Sequence, residues 1–197
     1  VSPTAAPPID RPALIRAALR AVVAERGFHG ASMSAIAKAA GVAVGTAYVH
    51  YDSKDEVVAA AYREAKDALT TAALEGLDTS LRPADRFRTM WRNMHGHLAS
   101  HRDIAAFLVQ FEASPYRSMV IDPRDRPAEL AELVASGDAH PLLATFADAV
   151  GGWVDLPATV LFDLGFGAAI RLVATDEQLA AADLDRLADA CWKSLQR

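Results

Sequence analysis

The stretch 32–54, SMSAIAKAAGVAVGTAYVHYDSK, constrains the fold more than any other part of the chain. Ser32 is placed to cap a short helix over 34–40, its hydroxyl accepting from an orphan backbone N–H one turn in. Ile36, Ala37 and Ala40 give that helix one apolar side. Gly41 follows it, where a left-handed backbone costs glycine little, and a second short helix over 43–50 begins. Ala37 and Ala47, on either side of the turn, are small enough for the two helices to cross steeply. A short helix, a glycine turn and a second short helix make the helix-turn-helix arrangement, whose second helix enters the DNA major groove.

The rest of the chain reads as helix. Helix 11–25 carries Leu14, Ile15, Ala18, Leu19, Val22 and Val23 on one stripe, with Pro12 in its first turn and Gly27 as its stop. Phe28 then plugs a small core and Gly30 allows the reversal. A helix over 54–74, capped by Ser53 or Asp52, is long enough (roughly 30 Å) to link two domains. Further helices are expected over 83–100, 104–113, 128–135, 141–150, 157–174 and 183–195, with 76–83 a linker and 122–127 a polar, proline-interrupted segment. The first nine residues, with Pro3, Pro7 and Pro8, read as a disordered arm. No internal repeat and no credible strand is visible. The expected architecture is all-α, with domains over 1–54 and 55–197.

Charge supports a division of labour. Residues 1–54 hold six Lys/Arg against three Asp/Glu, whereas residues 55–197 hold 14 against 22. A basic head on an acidic body attracts phosphate at one end and orients the molecule by repulsion at the other. The single Cys191 allows no internal disulfide and no cysteine-rich metal site, which fits a reducing, cytoplasmic setting. The longest apolar run, 156–170, is interrupted by Pro157 and Asp163, so no membrane span is expected.

The N-terminal third resembles the DNA-binding domain of the tetracycline-repressor (TetR) family of one-component transcriptional regulators. The resemblance rests on Gly27-Phe28, Gly30, Ile36-Ala37, Ala40-Gly41-Val42, Gly45-Thr46, Tyr48, Tyr51 and Ser53-Lys54. The remainder matches by length and helical character. It implies an N-terminal three-helix DNA-binding domain joined by a long helix to a C-terminal helical ligand-binding and dimerisation domain. By the same resemblance Tyr48 and Lys54 grip the DNA backbone, as does a hydroxyl at the start of the second helix, Ser32 or Ser34.

Residue by residue, Ala43, Val44, Thr46, Ala47 and Val49 are the candidate base-edge neighbours. The resemblance leads one to expect Ser or Thr before this helix and Arg or Lys within it. Ala43, Val44 and Val49 stand there instead, which removes the bidentate contacts to guanine and shifts weight to DNA shape. Thr46 can hydrogen-bond or touch a thymine methyl. His50 joins Tyr48 and Lys54 beside the phosphates, with the backbone N–H groups of the next helix, while Tyr51 reads as a core aromatic.

In the body, segment 161–170 is apolar all round, so both its sides require cover. Leu161, Gly165, Ala168 and Ala169, with Leu184, Leu187 and Cys191 of the last helix, are the candidate dimer interface, in the four-helix arrangement the resemblance implies. Trp91, Met94, Phe107, Phe111, Phe146 and Phe166 are candidate walls of an apolar ligand cavity, with His95, Gln110 and Arg171 as polar anchors. No catalytic motif appears. His97 and His101 are four apart, but the intervening Glu of the zinc-protease pattern is absent, so neither metal nor cofactor is expected.

The reading that joins these features is a homodimeric regulator, a repressor released from a palindromic DNA operator by a small hydrophobic or aromatic effector. Two others stay open: a DNA-binding dimer without an effector, distinguished by a solidly filled body, and a helical enzyme using His95, His97 and Glu112.

Overall fold

The computed structural model describes residues 10–120 and 140–197. The expected arm over 1–9, the polar segment 122–127 and the helix 128–135 lie outside the described residues. Two compact units divide the chain, one ending at Arg63 and the other running from Glu64 to Arg197. Every regular element among the described residues is helical; a single bridge pairs Trp153 with Gln196. No helix among them is long and apolar enough to cross a membrane.

The first unit, the head, contains α1 (Arg11–Gly30), α2 (Met33–Ala39), α3 (Val44–His50) and the start of α4 (Lys54–Leu74). Asp10 caps α1 by accepting from the Ala13 N–H at 3.0 Å. Ile15, Ala18, Leu19, Val22 and Val23 form its buried stripe. Gly27, at φ 69° and ψ 175°, breaks α1 in a conformation open essentially to glycine alone. Gly30 serves the reversal differently. Its φ is ordinary, but a Cβ there would lie 2.6 Å from the Arg26 Cβ, so the glycine supplies space. Ile36, Ala37, Ala47, Val57, Val58 and Ala61 complete a fully buried core.

The second unit, the body, contains the rest of α4 with α5 (Pro83–Ser100), α6 (Arg102–Glu112), α7 (Tyr116–Val120), α8 (Pro141–Ala144), α9 (Ala158–Ala174) and α10 (Ala181–Ser194). Pro83 opens α5, where its missing N–H is no loss. Phe87, Met90, Trp91, Met94 and Leu98 recur at helical spacing and are all buried. Outside this stripe, Arg88 pairs with Asp189 (2.6 Å) and Arg92 with Asp185 (3.4 Å), joining α5 to α10.

The segment expected as one helix over 141–150 departs from that expectation. It is α-helical only over Pro141–Ala144, and then tightens: Phe146 N–H donates to Leu143 O and Ala149 N–H to Phe146 O, both three residues back. A 3-10 turn at Val150–Gly152 follows. The glycines end the helical path, and the bridge from Trp153 to Gln196 draws the chain out beside the C-terminus. A short helix, α7, starts directly after Pro115, a residue that stops one helix and suits the first turn of the next.

Candidate nucleic-acid interface

The turn that sets α3 is built by backbone chemistry. The Ser32 hydroxyl accepts from Ala35 N–H at 3.1 Å and lies 2.9 Å from the Ser34 hydroxyl. At the other end of α2, Gly41 N–H donates to Lys38 O (3.2 Å) and Val42 N–H to Ala37 O (3.0 Å). With Gly41 at φ +68°, this is the paired Schellman closure that lets a helix stop within one residue. Ala37 and Ala47 are both fully buried, consistent with a crossing for which only small side chains leave room.

Burial of Ala47 fixes which side of α3 faces out. Val44 (40% exposed), Tyr48 (51%) and Val49 (79%) are the large exposed side chains, and Gly45 lies beside them with open space around it. Ala43 is exposed and Thr46 is half-buried. Ala47 therefore leaves the set of base-edge neighbours, because it is spent on the core. Gly45 enters that surface, a position that a strict 3.6-residue count from Ala47 would have found. The face is apolar and aromatic, without a charged side chain on Val44, Gly45, Tyr48 or Val49.

Around this face the polar groups differ in freedom. Ser32 has its oxygen engaged as a cap, whereas Ser34 and His50 are exposed. Lys54 is half-buried and donates from Nζ to the Phe28 carbonyl at 3.1 Å, which pins the ammonium against the chain reversal. Tyr51 is buried and its hydroxyl accepts from Arg16 Nη1 at 2.8 Å, tying α1 to the end of α3. The first turn of α4 does not fit the expected phosphate cradle. Glu56 N–H donates to the Ser53 hydroxyl (3.2 Å), Asp52 N–H donates to the Glu56 carboxylate (2.7 Å), and Asp55 adds a second acid. These reciprocal bonds satisfy the end of the helix, and two carboxylates already occupy its positive pole.

In the body, the candidate ligand residues separate into packed groups. Trp91 stacks on His95 (centroids 5.6 Å apart, planes within 3°), and burial pushes that imidazole below its usual pKa, favouring the neutral ring. Phe107 meets Phe111 at 6.0 Å. Phe87 joins Phe146 (6.3 Å) to Phe166 (5.0 Å) and also touches Trp192 (5.5 Å). Met94 is fully buried and Gln110 half-buried. Arg171 is exposed and so does not point into this apolar interior. His97 and His101 stack at 4.3 Å, and no cluster of three metal-ligating side chains occurs among the described residues.

The candidate dimer residues divide by their burial in the protomer. Leu161, Gly165, Ala169 and Cys191 are buried within the protomer itself. A Cβ on Gly165 would lie 3.3 Å from Phe87 and 3.5 Å from Leu195, so its smallness serves the protomer's own packing. Ala168, Leu184 and Leu187 are half-buried. The exposed apolar side of α9 carries Val160 (39%) and Leu164 (38%), with Gly167 and Ala168 one turn on.

Two family descriptions match the chain: bacterial regulatory proteins of the tetR family over residues 15–61, and the tetracyclin repressor-like C-terminal domain over residues 83–196. An uncharacterised helix-turn-helix transcriptional regulator of Haemophilus influenzae is 23% identical over 181 residues, covering 89% of this chain and 90% of that one. Among solved structures, a TetR-family regulator from Haemophilus influenzae superposes with a TM-score of 0.71 at 23% identity, over 95% of this chain and 97% of that one. A TetR-like regulator from a Rhodococcus species gives 0.64 at 26% identity, over 96% and 97%. The chain thus belongs to the TetR family of bacterial DNA-binding transcriptional regulators.

Proposed function

We propose that the protein is a homodimeric repressor that binds a palindromic operator and leaves it when a small hydrophobic or aromatic effector occupies the body. The observation that carries this reading is the outward face of α3, where Val44, Gly45, Tyr48 and Val49 stand exposed on a helix held by a closed glycine turn. In this reading Tyr48, His50, Ser34 and Lys54 contact phosphates, and Val44, Val49 and Thr46 meet base edges, mainly through thymine methyls and groove shape. Ser32 contributes by holding the start of α2. Two heads on palindromic half-sites about 34 Å apart require a twofold dimer, and exposed Val160 and Leu164 on α9 supply the apolar surface for it. Effector binding weakens operator binding only by as much as the effector prefers the form that does not bind DNA. Helix α4 begins in the head and ends in the body, and is the element through which that preference would act.

A second reading, an operator-binding dimer without an effector, draws support from the body's aromatic residues, which are buried against one another. One experiment separates them. The purified protein is titrated against DNA from its own upstream region at two salt concentrations, and then in the presence of small apolar molecules. Binding should be tight, weaken steeply with salt, and drop by about tenfold or more in Tyr48→Ala, which removes a phosphate contact without touching a buried residue. Release by a small molecule supports the effector; salt-insensitive binding, or binding indifferent to Tyr48, would sink the proposed interface.

A further inference from the structure

Lys66 lies on the body half of α4, half-buried, with its Nζ 3.3 Å from the centroid of the Phe162 ring. Among the described residues no hydrogen bond or ion pair holds this ammonium; the aromatic face is its contact. Two acids act on it from a distance, Glu112 from the end of α6 and Asp163 from α9. Glu112 is already engaged, accepting from Arg117 Nε at 2.6 Å. Asp163 is exposed, and its carboxyl is raised above the ordinary range by partial burial and by the charge of Glu112. Burial outweighs both acids and pushes the Lys66 pKa down to about 8. One turn along α4, the Thr70 hydroxyl lies 3.4 Å from Nε2 of His140, whose imidazole is lowered by burial and by the charge of Lys66 and raised by Asp67.

From this ammonium a row of rings leads inward. Phe162 meets Phe166 at 5.5 Å, and Phe166 meets Phe87 at 5.0 Å. A cation at the head of an aromatic row, shielded from water by the ring and given no close counter-ion among the described residues, is an arrangement that a molecule with an anionic end and an apolar remainder completes. An organic cation would meet the charge of Lys66 instead, and a neutral molecule would leave the ammonium as it is.

We propose that Lys66 anchors a carboxylate: the body binds an amphipathic organic acid, its carboxylate paired with the Lys66 ammonium and its apolar part against Phe162 and Phe166. This rests on the effector reading above and names the chemical class of the effector. Neither Trp91 nor His95 is needed for the charge, so the anchor lies on α4 and not on α5. Asp163 competes with the ligand for the same ammonium, so Asp163→Asn should tighten acid binding.

The test is calorimetric titration of the full chain with naphthalene-2-carboxylate and with octanoate, each set against its matched primary amide, at pH 7. At least one acid should bind about tenfold or more tightly than its amide. Lys66→Met should abolish that preference, and Lys66→Arg, which keeps the charge, should retain it. In the wild type, acid affinity should fall as pH rises from 7 to 10, because a neutral amine cannot pair with a carboxylate, whereas amide affinity should stay flat. Equal binding of acid and amide in the wild type would overturn the anchor while leaving an effector site in place, as would an undiminished preference in Lys66→Met. Binding of neither acid nor amide by protein that still binds operator DNA would overturn the ligand class and leave the head's function untouched.

Discussion

The head and the body are both helical, yet they are held in different ways. In the head the decisive interactions are short-range and backbone-directed: the Ser32 cap, the closure around Gly41, and the reciprocal bonds between Ser53, Glu56 and Asp52. In the body they are long-range and made by rings, with Phe87 alone meeting Phe146, Phe166 and Trp192 from three other parts of the chain. The contrast suits two tasks. A DNA-reading surface has to present a few side chains in one fixed geometry, which local hydrogen bonds provide. For the effector-binding interior proposed above, surface that can repack is enough, and non-directional burial provides it.

If that contrast holds, the largest single effect belongs to the body. Phe87→Ala removes the ring shared by three aromatic neighbours and leaves a cavity that helices α5, α9 and α10 cannot close without moving. A loss of about 3–5 kcal/mol is expected in chemical denaturation. A loss under about 1 kcal/mol would mean that the rings are loosely packed and that the body already contains open space around them.

What could be read from the chain follows the same division. Caps and glycine turns are coded within four or five residues, so Ser32, Gly41 and the limits of α4 and α5 were visible directly. Gly30 was legible as the point of reversal, but its physical basis was not, since what requires a glycine is the nearness of Arg26 and not the backbone angle. Segment 161–170 is apolar except for Asp163, and that one exposed acid, between Val160 and Leu164, is its only sign of an outer side; nothing else separates buried Leu161 from exposed Leu164. The residues expected at the dimer face therefore include several that are buried within the protomer itself, Leu161, Gly165 and Ala169 among them. Lys66 carries no sign in the sequence, because a lysine beside an apolar stripe ordinarily extends to water, and only the fold brings the Phe162 ring, far away in sequence, over its ammonium.

A second, intermediate effect concerns Lys66 and sharpens the contrast from the body's side. Its folded pKa, about 8, is below its ordinary value of 10.5, so between those values the unfolded chain binds more protons than the folded one. The penalty is therefore fully present below pH 8 and is relieved as pH rises toward 10.5. Lys66→Met should be more stable than the wild type at pH 7, by up to about 3 kcal/mol as an upper bound, and this advantage should shrink by pH 10. Comparing the two proteins in urea at both pH values cancels the other groups that titrate there. An advantage that does not change with pH would show that the ammonium is well solvated.

The smallest effect tests the head, and it sets Gly41 against Gly30, the glycines on either side of α2. Gly41 has φ +68° and nothing within 4 Å of where a Cβ would stand, so Gly41→Ala adds backbone strain and no clash. The expected cost is about 1–2 kcal/mol, the price of a left-handed residue with a side chain. Asn at the same position should recover part of it, because asparagine tolerates that conformation better. At Gly30 the situation is reversed: the angle is open to any residue, but the new methyl meets the Arg26 Cβ, a backbone-fixed atom that cannot swing aside. Asn should therefore give no relief at Gly30 and do worse than Ala. Denaturation of the four variants decides it, and partial rescue by Asn at Gly41 alone is the result that would establish the head as a structure set by backbone angles. Equal behaviour at both sites would mean that crowding governs the head as it governs the body.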